Sequence, residues 1–222
     1  MTIAVFVLSL LGAMALGMPL AFSLLVSGVA LMLHLHPFDP QIVSQNLISG
    51  ADNFPLMAVP FFMLAGELMN AGGMSRRIVS FALAWVGHQR GGLGLVAIFA
   101  AVVMAAISGS AAADAAALGT LLIPMMRDAG YNVPRSAGLI AACGVIAPVI
   151  PPSIGLIVFG VIANVSIGKL FLAGVFPGLL MGVSLVIAWL WVARRDEVKV
   201  LPRQGAAARW RAAVDGAWAL VM

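Results

Sequence analysis

Serine, glycine and aspartate crowd into residues 105–119, AAISGSAAADAAALG, inside a stretch otherwise built from Ala, Val, Ile and Leu. Hydroxyls, glycine-exposed peptide groups and one carboxylate are hard oxygen donors of the kind that suit a cation such as Na⁺. A second place of this sort is APVIPPS, residues 147–153, where Pro148, Pro151 and Pro152 remove backbone donors and bias the residues before them away from helix. At the first place a helix ending near Ser108 presents carbonyls at its negative end, and a new one starting near Ala111 has Ser110 as its N-cap. At the second, an incoming half-helix offers carbonyls up to about Pro151, and the outgoing one, from about Ser153, has free N–H groups that favour an anion. Carbonyl ends and amide ends gathered at mid-membrane bind a cation beside an anionic substrate, as discontinuous helices of secondary transporters do.

Plainer roles fit the same residues. The small residues at 111–117 suit a tight helix-packing face, and Ser108 and Ser110 are able to bond back to their own helix. Asp114 is the only acid deep in an apolar segment; it is either functional or a first-turn partner of the helix dipole. The prolines alone would make a kink. Glu67 in LAGELMN reads as an interface or packing carboxylate, and His34, His36 and His88 are placed like interfacial residues and match no metal motif.

The elements that must carry these groups are membrane helices. Of 222 residues, 63% are hydrophobic and only 9% charged, and apolar runs recur at about the 20-residue length that crosses a bilayer. The net charge of +4 does not point to nucleic acid, because the twelve Lys and Arg lie between the apolar runs and in the tail. Cys143, the single cysteine, excludes a disulfide framework and reads as a small packing residue. The first 33 residues lack a basic leader and read as one membrane helix with a kink at Pro19. Residues 34–53 form a polar connector without Lys or Arg, which suits the outer side. Pro55 and Pro60 predict an irregular or kinked entry to the next span.

The expected organisation is 1–74 as scaffold transmembrane helices, 75–90 as a cytoplasmic interfacial helix and 91–127 as a helical hairpin. Residues 136–193 follow as a broken helix plus a transmembrane helix, and 194–222 as a cytoplasmic linker leading into a second, unfinished half. The 36 residues 91–126 would span about 54 Å as one helix, too long for one crossing, and both flanks are basic, so a hairpin with its tip at ISGSAAAD results. The break at 147–153 predicts two half-helices joined by extended chain. Trp189 and Trp191 are expected at the membrane interface, and every basic residue except Lys169 falls on the cytoplasmic side.

In order along the chain, FPLMAVPFFMLAGELMNAGGMSRR, GHQRGGLG, SGSAAADAAALGTLLIPMMRDAGY and IAPVIPPSIGLIVFG, followed by SIGKLFLAGVFPGLL, resemble the large membrane subunit (DctM-like) of tripartite ATP-independent periplasmic (TRAP) transporters. The resemblance covers about residue 50 to residue 182 and implies an all-α, multi-spanning transporter half of elevator type, with a re-entrant hairpin and a Pro-broken helix. It implies a permease, not an enzyme, of the bacterial inner membrane that imports organic anions such as C4-dicarboxylates, sialic acid or sugar acids. Na⁺ is the implied coupling ion and no organic cofactor is implied. The implied partners are a small membrane subunit (DctQ-like), a periplasmic binding protein (DctP-like), the organic anion and the lipid bilayer, and not nucleic acid. By matching motif, the first sodium site falls to Ser108, Gly109, Ser110, Gly144, Val149 and Pro151, and substrate contact to Asp114, Pro152 and Ser153. Ala147 and Pro148 stand where relatives often carry glycine-containing variants. The family's second, inverted copy is not among these residues, so the resemblance implies an N-terminal half with half a site. Other classes compatible with the residues are an H⁺- or Na⁺-coupled antiporter or channel and, less so, an intramembrane enzyme, since aspartyl chemistry needs a second carboxylate near Asp114.

Overall fold

The computed structural model describes residues 1–35, 38–52, 54–194, 202 and 205–221. Over these it is all-helical, with eleven helices and no strand among the described residues. His36, Arg195 and most of the linker after it lie outside them. The chain divides into two compact units, residues 1–53 and 54–222.

In the first unit the expected single membrane helix is two. α1 (Thr2–Ala15) and α2 (Leu20–Leu35) pack on each other, with Ala13, Ser23 and Ser27 buried as small contacts. The cause is local: Gly17 at φ +82° lets its N–H reach Met14 O and the Met18 N–H reach Ala13 O, closing α1 before Pro19, which has no N–H to continue it. The polar connector likewise contains a helix, α3 (Pro40–Ala51), because Asp39 accepts from Gln41 N at 2.8 Å and Pro40 sits in the first turn, where a missing N–H costs nothing.

The second unit begins with α4 (Phe54–Ala71), helical from its first residue because Pro55 falls in the first turn; Pro60 lies inside it. α5 (Met74–Val86) follows and turns its apolar stripe, Ile78, Val79 and Ala82, onto α6 (Gly92–Ser108). α7 (Ala111–Asp128) returns beside α6 and is closed by Gly130 at φ +87°, whose N–H meets Arg127 O while the Tyr131 N–H meets Met126 O. α8 (Val133–Gly144) and α9 (Ile154–Ile162) are the halves of the broken helix. α10 (Ile167–Ala193) is 27 residues, about 40 Å long. α11 (Ala206–Val221) packs on α5, with Gly216 against Phe81. By length and composition α4 and α10 are able to cross a membrane, while their outer faces carry exposed apolar side chains such as Phe61, Leu64, Leu172 and Phe176.

The core joins α5, α6, α7, α8 and the end of α10, and Cys143 is buried in it. Trp189, expected at the interface, is buried there too: its Nε1–H donates to Gly91 O at 2.8 Å, its ring stacks on Tyr131 with centroids 6.0 Å apart, and Gly94 lies directly under the indole. A buried tryptophan needs a partner for its N–H, and Gly91, at φ +74°, supplies its carbonyl. A side chain at position 94 would occupy the indole's space. Gly94→Val is expected to destabilise the protein by about 2 kcal/mol through overpacking, and Trp189→Phe by about 1 kcal/mol through the lost hydrogen bond. Both are read as a lower apparent Tm in detergent; an unchanged Tm for Gly94→Val would contradict this packing.

Candidate functional site: two helix breaks in contact

The hairpin tip is built by three consecutive residues with different tasks. Ser108 ends α6, and Gly109 turns the chain at φ +58° with its N–H on Ala105 O at 3.3 Å. Ser110 is extended (φ −118°, ψ 109°) and its Oγ accepts from Ala113 N at a long 3.5 Å, starting α7 as a serine N-cap does. The Ser108 hydroxyl donates to Asp114 Oδ1 at 2.6 Å and accepts from Ser110 N at 3.2 Å. Asp114, in the first turn of α7, is 1% exposed, and its Oδ2 is buried without a partner in the protein. The positive end of α7 favours its charge.

The second break departs from the extended link expected of its prolines. After Gly144 the chain runs through tight turns: Val145 N meets Ala142 O, Ile146 N meets Cys143 O, Ala147 N meets Gly144 O and Val149 N meets Ile146 O, at 3.0–3.3 Å. Such i→i+3 bonds satisfy carbonyls locally where no water is at hand to do so, which an extended link could not. Pro148 sits within this run, and the turns stop before Pro151; the Pro151–Pro152 bond is cis. Ser153 is extended (φ −122°, ψ 130°). Its Oγ donates to Pro148 O at 2.6 Å and accepts from Leu156 N at 3.4 Å, so one buried hydroxyl both closes the 148–153 loop and caps α9.

The two breaks touch. A Cβ on Gly109 would stand 2.6 Å from Pro152 O and 3.2 Å from Ser153 Cα; one on Gly144 would stand 2.9 Å from Ala111 O and 3.1 Å from Ala115 Cβ. Of the residues singled out in the sequence, Gly109, Pro152 and Ser153 therefore meet directly, and Gly144 meets the start of α7. Val149 points elsewhere: its carbonyl lies against Gly174 of α10, and Ile150 lies against Gly178. Pro151 is half-buried beside them. The Ser108 side chain is engaged by Asp114, and a cavity of about 10 Å³ lined by Asn70, Ser75, Ser108 and Asp114 opens on the α4–α5 side of the tip. That is room for about one water. An open cleft of about 400 Å³, lined by Asn70, Ser75, Arg76 and Thr120 among others, shares Asn70 and Ser75 with that cavity, so the first turn of α5 turns its arginine onto the face of α7 that carries Thr120.

Several neighbours of the site carried little sequence signal. Gly66 of α4 faces Ser108, with its would-be Cβ 3.5 Å from Ser108 Cα, and Ser75 donates to Asn70 Oδ1 across the α4–α5 corner. The glycines of α10 had a readable one: Gly174, Gly178 and Gly182 recur every four residues, the pattern that lets membrane helices approach closely.

The family model for the tripartite ATP-independent periplasmic transporter, DctM component, matches residues 7–222. The chain belongs to this family of membrane-embedded transporter permeases. A Haemophilus influenzae protein named as a TRAP transporter large permease is 59% identical over 88% of this chain and 46% of its own length. The 2,3-diketo-L-gulonate TRAP transporter large permease protein YiaN of Escherichia coli K12 is 53% identical over 100% of this chain and 52% of its own length. The sialic acid TRAP transporter large permease protein SiaM of Vibrio cholerae is 43% identical over 87% and 45%, respectively. The chain spans about half the length of the curated relatives it matches.

Two glycines make the contact testable. Gly109→Ala adds a methyl in a left-handed backbone against a carbonyl and is expected to destabilise the full-length protein by about 1–3 kcal/mol. Gly138→Ala, within α8 with nothing inside 4 Å of its Cβ position, is expected to be neutral or to stabilise by up to about 1 kcal/mol. Apparent Tm values of the two variants in detergent decide it, and equal Tm values would argue against the tip-to-break contact.

Proposed function

We propose that this chain supplies the hairpin-and-broken-helix half of a Na⁺-coupled importer of small organic anions. The observation that carries the reading is the close approach of Gly109 to Pro152 and Ser153, which sets two interrupted helices tip to break. In this reading residues 91–127 are a re-entrant hairpin, and the hairpin with 136–162 moves as a unit past the scaffold helices of 1–74, in an elevator motion, within a multi-pass protein of the bacterial inner membrane. Na⁺ lies among Ser108, Gly109, Ser110, Gly144, Val149 and Pro151; the Ser108 hydroxyl, whose proton goes to Asp114, keeps a lone pair for it beside backbone carbonyls, and that of Val149, turned to Gly174, is not one of them. The N-terminus of α9, with Ser153 and Pro152, faces the anion.

The relatives' names speak for the substrate class. One names 2,3-diketo-L-gulonate, another sialic acid, and a third, from Vibrio cholerae, C4-dicarboxylate; all three are organic acids. The proposed partners are a small membrane subunit, a periplasmic binding protein that delivers substrate, and the remaining half of the permease. Conversion of the substrate is no part of the proposal.

The test is uptake of radiolabelled organic acid into proteoliposomes holding the full-length permease, its small subunit and its binding protein. Uptake is expected to rise with an inward Na⁺ gradient and to vanish when K⁺ replaces Na⁺. Uptake driven equally well by a pH gradient without Na⁺ would refute the coupling.

A further inference from the structure

We propose that Asp114 is a positioning residue: it holds the Ser108 hydroxyl so that one lone pair of that oxygen is presented to the ion at the hairpin tip, and it does not touch the substrate. This rests on the Na⁺ reading above and deepens it. A serine hydroxyl has one proton to give and two lone pairs. The proton of Ser108 goes to Asp114 Oδ1 at 2.6 Å, and one lone pair takes the Ser110 N–H at 3.2 Å. One lone pair remains, and its direction is fixed by the other two bonds. Without Asp114 the hydroxyl would rotate to bond back to a carbonyl of its own helix, as the hydroxyls of Ser9, Ser44 and Ser184 do in this protein. Its free lone pair would then be reoriented and an ion would have to pay for turning it back.

The surroundings of Asp114 fit this task and not contact with a substrate. The side chain is 1% exposed and sits behind the tip, between α7 and the α4–α5 corner. The other residues that line its small cavity, among them Asn70, Ser75, Met104 and Ile107, come from α4, α5 and α6, and none comes from α8 or α9. Its second oxygen, Oδ2, is buried with no protein partner, and the cavity that Asp114 lines has room for about one water. The anion-facing groups of the proposed site, Pro152 and Ser153, lie on the Gly109 face of the tip. The bond to Ser108 is short and buried, which holds the hydroxyl in one rotamer.

A double-mutant cycle on the full-length, reconstituted transporter tests the inference, reading the Na⁺ concentration for half-maximal uptake and, separately, the substrate KM at saturating Na⁺. Asp114→Ala is expected to raise the half-saturating Na⁺ concentration about tenfold while leaving KM within about twofold. Ser108→Ala is expected to raise it similarly, and Asp114→Ala added to Ser108→Ala to change it less than twofold, because the carboxylate acts through that hydroxyl. Asp114→Asn keeps an oxygen for Ser108 and is expected to stay within about threefold of the parent; if Asp114→Ala does not fold, this variant and its combination with Ser108→Ala carry the cycle. Additive effects of the two positions, a rise in substrate KM as the main effect, or Asp114→Asn as impaired as Asp114→Ala would each overturn the proposal. If the parent protein shows no Na⁺ dependence, it is the coupling reading that fails, which the same data separate from failure of the positioning role.

Discussion

Peptide groups that leave a helix inside a bilayer must find partners within the protein, because hydrocarbon offers none and each unmet N–H or C=O costs several kcal/mol or so. This protein interrupts its helices at two places that are packed against the rest of the chain, and the structure around both follows from how their groups are settled. At the tip, glycine takes the left-handed turn and two serines divide the work, one capping α7 and the other bonding Asp114. At the second break, a run of tight turns consumes the carbonyls after Ala142, and the single hydroxyl of Ser153 serves both the loop and α9. What these local solutions leave over is small: a few carbonyls at the end of α6 and around 147–152, and the first N–H groups of α7 and α9. Those leftovers are the raw material of the site.

Bringing them together depends on missing side chains. Membrane helices gain little from burying apolar surface against one another, so close approach through small residues matters more than in a soluble core. Gly66 lets α4 reach Ser108, Gly109 and Gly144 let the hairpin reach the broken helix, and Gly174 and Gly178 let α10 come up behind Val149 and Ile150. The break is thus gripped from two sides. One grip faces the tip and the other faces the longest helix of the unit, which explains how two residues three positions apart, Val149 and Pro152, turn their carbonyls to different neighbours.

The chain belongs to a family of transporter permeases, and it spans about half the length of the relatives it matches. The α4–α5 corner adds a layer that the two breaks alone do not supply. Asn70 and Ser75 are the polar groups of α4 and α5 on a small cavity beside Asp114 that Met69, Met74 and Ile78 also line, and both residues border the cleft that Arg76 lines.

The sequence by itself determined the all-helical class, the two interruptions and most of the helix ends around them: α6 ending at Ser108, Ser110 as a cap, α9 starting near Ser153, and the identity of the family through its motifs. These are legible because caps, glycine turns and prolines act over three or four residues of the same strand of chain. Even there the reading slipped where two local signals competed, as at Gly17 and Pro19, which end a helix, and at Asp39 and Pro40, which begin one. Only the tertiary structure decided that the Ser108 hydroxyl turns to Asp114, that Pro152 and not Val149 faces Gly109, that Trp189 is buried, and that α5 lies along α6. Each of these joins residues tens of positions apart or picks one rotamer among several, and such choices are made by which helix faces fit together, a property no short stretch of sequence contains.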